Sequence, residues 1–156
     1  MPLKSTTINS MINYPLSIIN YQFSMTLHHI GYTVADMQAT IQHFAAFGYQ
    51  AGPVLHDEAL QVDICYLSCE GAVTIELIHQ YNPASLETQL LTANGVMPYH
   101  LAYEAPDFDG ACATLDSQGY QCLFAPVPVS VLNGIRICYF HHPAIGYIEL
   151  LEAPAS

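Results

Sequence analysis

The chain contains one short pattern twice. His29-Ile-Gly-Tyr-Thr-Val-Ala-Asp36 is matched by His100-Leu-Ala-Tyr-Glu-Ala-Pro-Asp107, and Gly48-Tyr-Gln50 by Gly119-Tyr-Gln121, all at an offset of 71 residues. Thr74-Ile-Glu-Leu-Ile78 is matched by Tyr147-Ile-Glu-Leu-Leu151 at an offset of 73. Ungapped agreement at both ends of a unit says that one supersecondary element is built twice. In 156 residues, two such units share a single core.

Each copy reads the same way. A strand opens it, over Leu27 to Val34 or Tyr99 to Ala105. Asp36 or Asp107 then stands where a helix needs an N-cap. Met37, Ile41, Phe44 and Phe47 recur at helical spacing in the first copy, and Gly48 and Gly119 close the helices. Three strands follow each helix. They are Gln50 to Leu55, Gln61 to Ser68 and Val73 to His79, then Gln121 to Val127, Ile135 to Phe140 and Tyr147 to Glu152. The expected class is α+β, with β-α-β-β-β modules over residues 26–80 and 97–153 in one domain, 26–153. A linker, 81–96, carries a short helix and the turn signal Asn94-Gly95. Residues 1–25 read as an arm or tail, their apolar character broken by Asn13, Pro15, Ser17 and Asn20.

Glu76 lies between Ile75 and Leu77, and Glu149 between Ile148 and Leu150. Side chains alternate across a strand, so each acid faces away from apolar neighbours that a helix covers, into the concave side of the sheet. A carboxylate there is costly unless something compensates it. The usual partners are scarce: the chain has two basic residues, Lys4 and Arg136, against thirteen acidic ones. A retained proton or a bound cation remains. His29 and His100 occupy equivalent positions, so the repeat groups His29 with Glu76 and His100 with Glu149. Two imidazoles and two carboxylates suit one divalent metal ion such as nickel, cobalt, zinc, manganese or iron. His28, next to His29, is expected on the opposite face and reads as structural.

A formal charge of −11 excludes the basic footprint that nucleic acid or an anionic membrane requires. No apolar run reaches membrane-spanning length. Five cysteines without a C-x-x-C pair read as reduced thiols and predict a cytoplasmic protein. With only 10% charged residues and the exposed edges of an open sheet, a homodimer is expected.

From Leu27 to Glu152 the chain resembles the vicinal oxygen chelate superfamily, which includes glyoxalase I, methylmalonyl-CoA epimerase, extradiol dioxygenases and bleomycin-resistance proteins. His29-Ile-Gly, Thr74-Ile-Glu-Leu, Tyr99-His-Leu-Ala-Tyr-Glu and Gly146-Tyr-Ile-Glu-Leu carry the resemblance. It implies an open eight-stranded barrel around one metal, with His29, Glu76, His100 and Glu149 as ligands. The His/Glu/His/Glu set is similar to glyoxalase I. The spacing, with a linker from Ser85 to Gly95 running into Tyr99-His100, is similar to the epimerase. That epimerase has Gln where this chain has Glu76. Its proton-abstracting Glu matches Asp63 in Val62-Asp63-Ile64, one methylene shorter here.

The resemblance implies an isomerase, epimerase or glyoxalase-like lyase. A cation chelates adjacent oxygens of a small-molecule substrate, a carboxylate removes a proton beside a carbonyl, and the enediolate is held by the metal. Glu149, Glu76 and Asp63 are the candidate bases. Arg136 is a candidate clamp for one substrate carboxylate or a surface residue, and His142 a candidate substrate contact. A non-haem iron dioxygenase of the same fold and a non-catalytic binding or resistance protein are the alternatives. Coenzyme A and glutathione carry several anionic groups, which a chain with one arginine in the domain is poorly equipped to meet, so a less anionic substrate is expected.

Overall fold

A computed structural model describes residues 25–154. The arm reading therefore lies outside the described residues except for Met25. The first module is β1 (Thr26–Thr33), α1 (Met37–Ala45), β2 (Gln50–Asp57), β3 (Val62–Ser68) and β4 (Thr74–Gln80). The linker holds α2 (Leu86–Asn94). The second module is β5 (Met97–Ala105), α3 (Phe108–Ser117), β6 (Gln121–Cys122), β7 (Val127–Val129), a 3-10 turn at Ser130–Leu132, β8 (Ile135–His142) and β9 (Gly146–Glu152).

The helix starts follow the capping logic. Asp36 accepts from Ala39 N at 2.9 Å and Asp107 from Gly110 N at 3.0 Å. Ser85 does the same for α2, accepting from Thr88 N at 3.1 Å. Each cap satisfies an amide that the helix leaves without a partner. Met37, Ile41 and Phe44 of α1 pack on the sheet, whereas Phe47 lies past the helix end and is exposed.

Strand order is β2-β3-β4-β1-β5-β9-β8-β6 in one open sheet, with β7 also pairing to β8. The expected strand Gln121 to Val127 is split, so the sheet has nine strands rather than eight. Pro126, which cannot donate to a ladder, falls in the break, and only the short pieces Gln121–Cys122 and Val127–Val129 pair with β8.

The two modules meet at an antiparallel β1–β5 pair, in which Gly31 faces His100 and Ala102 faces His29. These are the same two repeat positions exchanged, as a pseudo-twofold axis requires. Parallel pairs flank this centre: Gly31 opposite Glu76 on β4, and Ala102 opposite Glu149 on β9. The sequence repeat is thus a repeat of register.

Alternation splits each strand between two environments. Ile75 and Leu77 join Cys65 and Leu67 under α1, while Ile148 and Leu150 join Cys138 and Phe140 under α3. Covering these outer faces removes about 1.5–3 kcal/mol worth of apolar side chain from water per fully buried residue. The opposite faces carry Glu76, Ile78 and Glu149. They share one cavity with Val62 and Ile64 of β3 and Ile137 and Tyr139 of β8, so the sheet curls until strands from both modules face each other. Asp57, buried at the end of β2, ties the modules together. It accepts from Ser130 Oγ at 2.8 Å and Ser130 N at 3.2 Å. Among the described residues no helix is long and apolar enough to cross a membrane.

Candidate metal centre and its cavity

His29, Glu76, His100 and Glu149 come together from β1, β4, β5 and β9, all buried. One ligand atom from each lies within 4.8 Å of all the others. His29 Nε2 is 3.0 Å from Glu76 Oε2, 3.1 Å from Glu149 Oε2 and 3.1 Å from His100 Nε2. His100 Nε2 is 3.5 Å from Glu76 Oε2 and 3.2 Å from Glu149 Oε2.

Hydrogen bonding among these groups alone does not satisfy them. Glu76 Oε2, Glu149 Oε2 and His100 Nδ1 are buried without a hydrogen-bond partner, despite the short ion-pair distances. One ring N–H cannot point at two oxygens and a nitrogen together. A buried polar group left in this way costs about 1–3 kcal/mol, and more when charged. The electrostatics are equally tense. Burial pushes the His29 imidazolium down, but the Glu76 and Glu149 carboxylates outweigh it and lift its pKa to about 10. Burial opposes ionisation of Glu149, and His100 and His29 pull it to about 2. The cluster therefore calls for positive charge. Donors ~2.1 Å from a common cation stand ~3.0 Å apart at right angles and ~3.4 Å apart at tetrahedral angles. Four of the five separations that involve a histidine nitrogen, 3.0–3.2 Å, fall in that range, and the fifth, His100 Nε2 to Glu76 Oε2 at 3.5 Å, lies just beyond it. The donor set and its spacing fit a divalent cation.

Small residues make room for the rings. Gly31 lies under the His100 imidazole so closely that a Cβ there would meet His100 Cε1 at 2.0 Å. Its equivalent, Ala102, is fully buried opposite His29.

The structure corrects the reading of His28. Its Nδ1 is 2.8 Å from His29 Nδ1. The register shift between Leu27 and His29 breaks the alternation that placed His28 on the far side. With the proton on His29 Nδ1 and donated to His28 Nδ1, His29 Nε2 keeps its lone pair for a cation, which is how a neighbouring group sets the tautomer of a ligand. Tyr66 was also missed. It pairs with Glu76 across β3 and β4, its ring is 5.5 Å from His29, and burial together with Glu76 pushes its hydroxyl far up, so it stays protonated.

Three sequence candidates lie elsewhere. Asp63 shares β3 with the cavity residues Val62 and Ile64 but points to the other face. There His56 Nδ1 is 2.7 Å from Asp63 Oδ1, and Tyr81 OH donates to Oδ2 at 2.6 Å. Strand alternation removes it from the site. Arg136 is equally outside, because Ile137 takes the inward position. Its guanidinium bonds Glu152 at 2.8 Å and Asp109 at 3.0 Å and lies 4.8 Å from the centre of the Phe108 ring. His142 accepts from Ala144 N at 3.1 Å within its own turn and packs on Tyr120.

The cavity beside the four donors has a volume of about 260 Å³. Its walls are mainly apolar, including Val62, Ile64 and Ile78 from one module and Phe124, Val129 and Ile137 from the other. Its polar side chains are Glu76, Glu149, Gln80, Glu87 and Tyr139. A mostly apolar cleft with a few converging polar groups is the usual form of a small-molecule site.

The sequence profile of the glyoxalase/bleomycin resistance protein/dioxygenase superfamily matches residues 28–139. No curated protein matches the sequence. Among solved structures, methylmalonyl-CoA epimerase from Mycobacterium tuberculosis is 25% identical with a TM-score of 0.70, over 82% of this chain and 88% of that one. A variant of Streptomyces coelicolor methylmalonyl-CoA epimerase, in complex with 2-nitronate-propionyl-CoA, is 26% identical with a TM-score of 0.71, over 85% and 97%. A hypothetical protein from Bacillus halodurans shares the fold at 20% identity, TM-score 0.72, over 85% and 97%.

Proposed function

We propose, since the chain belongs to the glyoxalase/bleomycin resistance protein/dioxygenase superfamily, that it is a metal-dependent isomerase or epimerase, or a glyoxalase-like lyase, acting by proton transfer beside a carbonyl. The observation that carries this reading is the buried His/Glu/His/Glu cluster with orphaned carboxylate oxygens, opening on an apolar cavity. His29, Glu76, His100 and Glu149 would hold the ion. A divalent cation there supplies Lewis-acid polarisation of substrate oxygens, which acidifies the adjacent C–H.

The rest is done by the chain's own groups. Glu76 and Glu149 are the carboxylates common to the donor cluster and the cavity lining, and one of them takes the proton from carbon and returns it to a neighbouring atom or the opposite face. Asp63 has no part in this, being committed to His56 and Tyr81 on the other side of the sheet. Val62, Ile64, Ile78 and Ile137 keep water from the reacting carbon and raise the strength of every charge interaction beside it. His28 fixes the tautomer of His29. The substrate is a small oxygenated molecule less anionic than a coenzyme A ester, because Arg136 is already occupied by two carboxylates away from the cavity.

The test is solvent exchange. Protein reconstituted separately with nickel, cobalt, zinc, manganese or iron is incubated in deuterium oxide with a panel of 2-oxo and 1,2-dioxygenated compounds. Deuterium incorporation at the carbon beside the carbonyl, lost in Glu76→Gln or Glu149→Gln, is the expected result. Failure of every metal form to exchange any member of the panel removes proton-transfer chemistry as the function.

A further inference from the structure

Three side chains at the edge of the cavity form a hydrogen-bond chain with a fixed direction. Glu87 and Tyr139 both line the cavity, and Tyr99 bridges them from behind. Tyr99 OH donates to Glu87 Oε1 at 3.0 Å, and the hydroxyl oxygens of Tyr99 and Tyr139 are 3.2 Å apart. A phenol has one proton to give. Tyr99 spends its proton on the carboxylate, so Tyr139 must give its own to Tyr99. Tyr139 is then left with lone pairs only, and so is Glu87. Both tyrosines are buried from bulk solvent, so a donor to Tyr139 has to come from within the cavity. Opposite them, Gln80 accepts from Asn82 N at 3.1 Å through Oε1, which leaves its amide NH₂ as the side-chain N–H of the lining. No lysine, arginine or histidine lines the cavity.

We propose that the bound molecule is uncharged where it meets Glu87 and Tyr139, next to His100 and Glu149, and carries a hydroxyl there, given to Tyr139 or Glu87 and able to accept from Gln80. The inference rests on the reading of this cavity as the substrate site and narrows the substrate class. A methyl ether at that position accepts but cannot donate, leaving the two oxygens unanswered. An anion meets the Glu87 carboxylate with no cationic side chain in the cavity lining to offset it. A site built of acceptors rejects both for the same reason that buried unpaired groups are costly. Tyr99 is a positioning residue: it does not line the cavity, and it acts by taking the proton of Tyr139.

The experiment uses the full chain, zinc-loaded and chelator-treated, with three probes on one apolar body: cyclohexylmethanol, its methyl ether, and cyclohexylmethanesulfonate. Binding is followed by methyl NMR shifts of Ile64, Ile78 and Ile137, which report cavity occupancy directly. In the chelator-treated protein the alcohol is expected to bind about tenfold or more tightly than the ether, and the sulfonate not to shift these methyls. In Tyr99→Phe the alcohol-to-ether ratio falls to about threefold or less while affinity for the ether is unchanged. The proposal is overturned if the alcohol leaves these methyls unmoved, if ether or sulfonate matches it, or if the ratio survives in both Tyr99→Phe and Tyr139→Phe. Because the ratio is expected in the chelator-treated protein, a chain that binds the alcohol selectively but takes up no zinc refutes the metal reading and leaves this one standing.

Discussion

Replacing Gly31 by alanine tests whether packing, and not only ligand identity, builds the proposed metal centre. A Cβ at this position would stand 2.0 Å from His100 Cε1 and 2.4 Å from both ring nitrogens. Contacts shorter than 3.0 Å are not tolerated, so the ring must retreat by about 1 Å (3.0 minus 2.0). Metal–ligand distances tolerate only about 0.2 Å. Behind the ring stand Tyr99 and Tyr139, with centroids 4.5 and 5.2 Å away, so the retreat also disturbs a packed aromatic group. The expected cost is about 1–3 kcal/mol of stability in metal-free protein. Metal affinity should fall by about 100-fold or more, beyond what loss of a supporting residue causes. The assay is urea unfolding of wild type, Gly31→Ala, His100→Ala and the double variant, with metal binding by calorimetry on the first two. Without the imidazole nothing obstructs the methyl group, and alanine is preferred over glycine inside a strand by about 0.5–1 kcal/mol. Gly31→Ala should therefore be neutral or stabilising in the His100→Ala background. An equal cost in both backgrounds, or unchanged metal affinity in the single variant, would refute the reasoning.

Other consequences follow from the same geometry. His28→Ala should lower metal affinity about 10–100-fold while leaving the fold intact by circular dichroism, since it removes a partner of a ligand and not the ligand. Replacing both Glu76 and Glu149 by glutamine should abolish metal binding as measured by mass spectrometry of the dialysed protein. Arg136→Ala should leave metal content and probe binding as they are, because its ion pairs lie outside the cavity. Asp57 gives an acid-dependence. Burial raises its pKa, but the bonds from Leu60 and Ser130 prevail and hold it below the usual carboxylate range. A depressed carboxylate contributes stability above its unfolded value, near 3.9, and that contribution drains away as pH falls toward the folded value. Asp57→Asn should cost about 1–3 kcal/mol at pH 7 and flatten the stability profile below pH ~4. A parallel profile in wild type and variant would show that Asp57 does not link the modules as described.

The convergence of four side chains was legible because a duplicated sequence reports equivalence directly: His29 with His100, Glu76 with Glu149, in strands whose alternation turns acids away from the helices. Asp63 shows the limit of the same rule. Its neighbours Val62 and Ile64 are as apolar as those of Glu76, and the pattern alone does not say which face closes over a cavity. Pairing of Tyr66 with Glu76 decides it, since Tyr66 and Asp63 are an odd number of residues apart. His28 escaped for the opposite reason, because a local break in register defeats a parity count. The split of the expected strand after Cys122 was within reach, since Pro126 marks it.

The sequence by itself determined the two modules, the apolar faces under the helices, and the four side chains that share one fate, because periodicity and repetition are properties of the chain. Only the tertiary structure decided that Gly31 is the seat of an imidazole, that Asp57 reaches Ser130, and that Glu87, Tyr99 and Tyr139 join in a directed chain. Those are contacts between residues distant in sequence, fixed by strand register and by how far the sheet curls, and no local propensity encodes them.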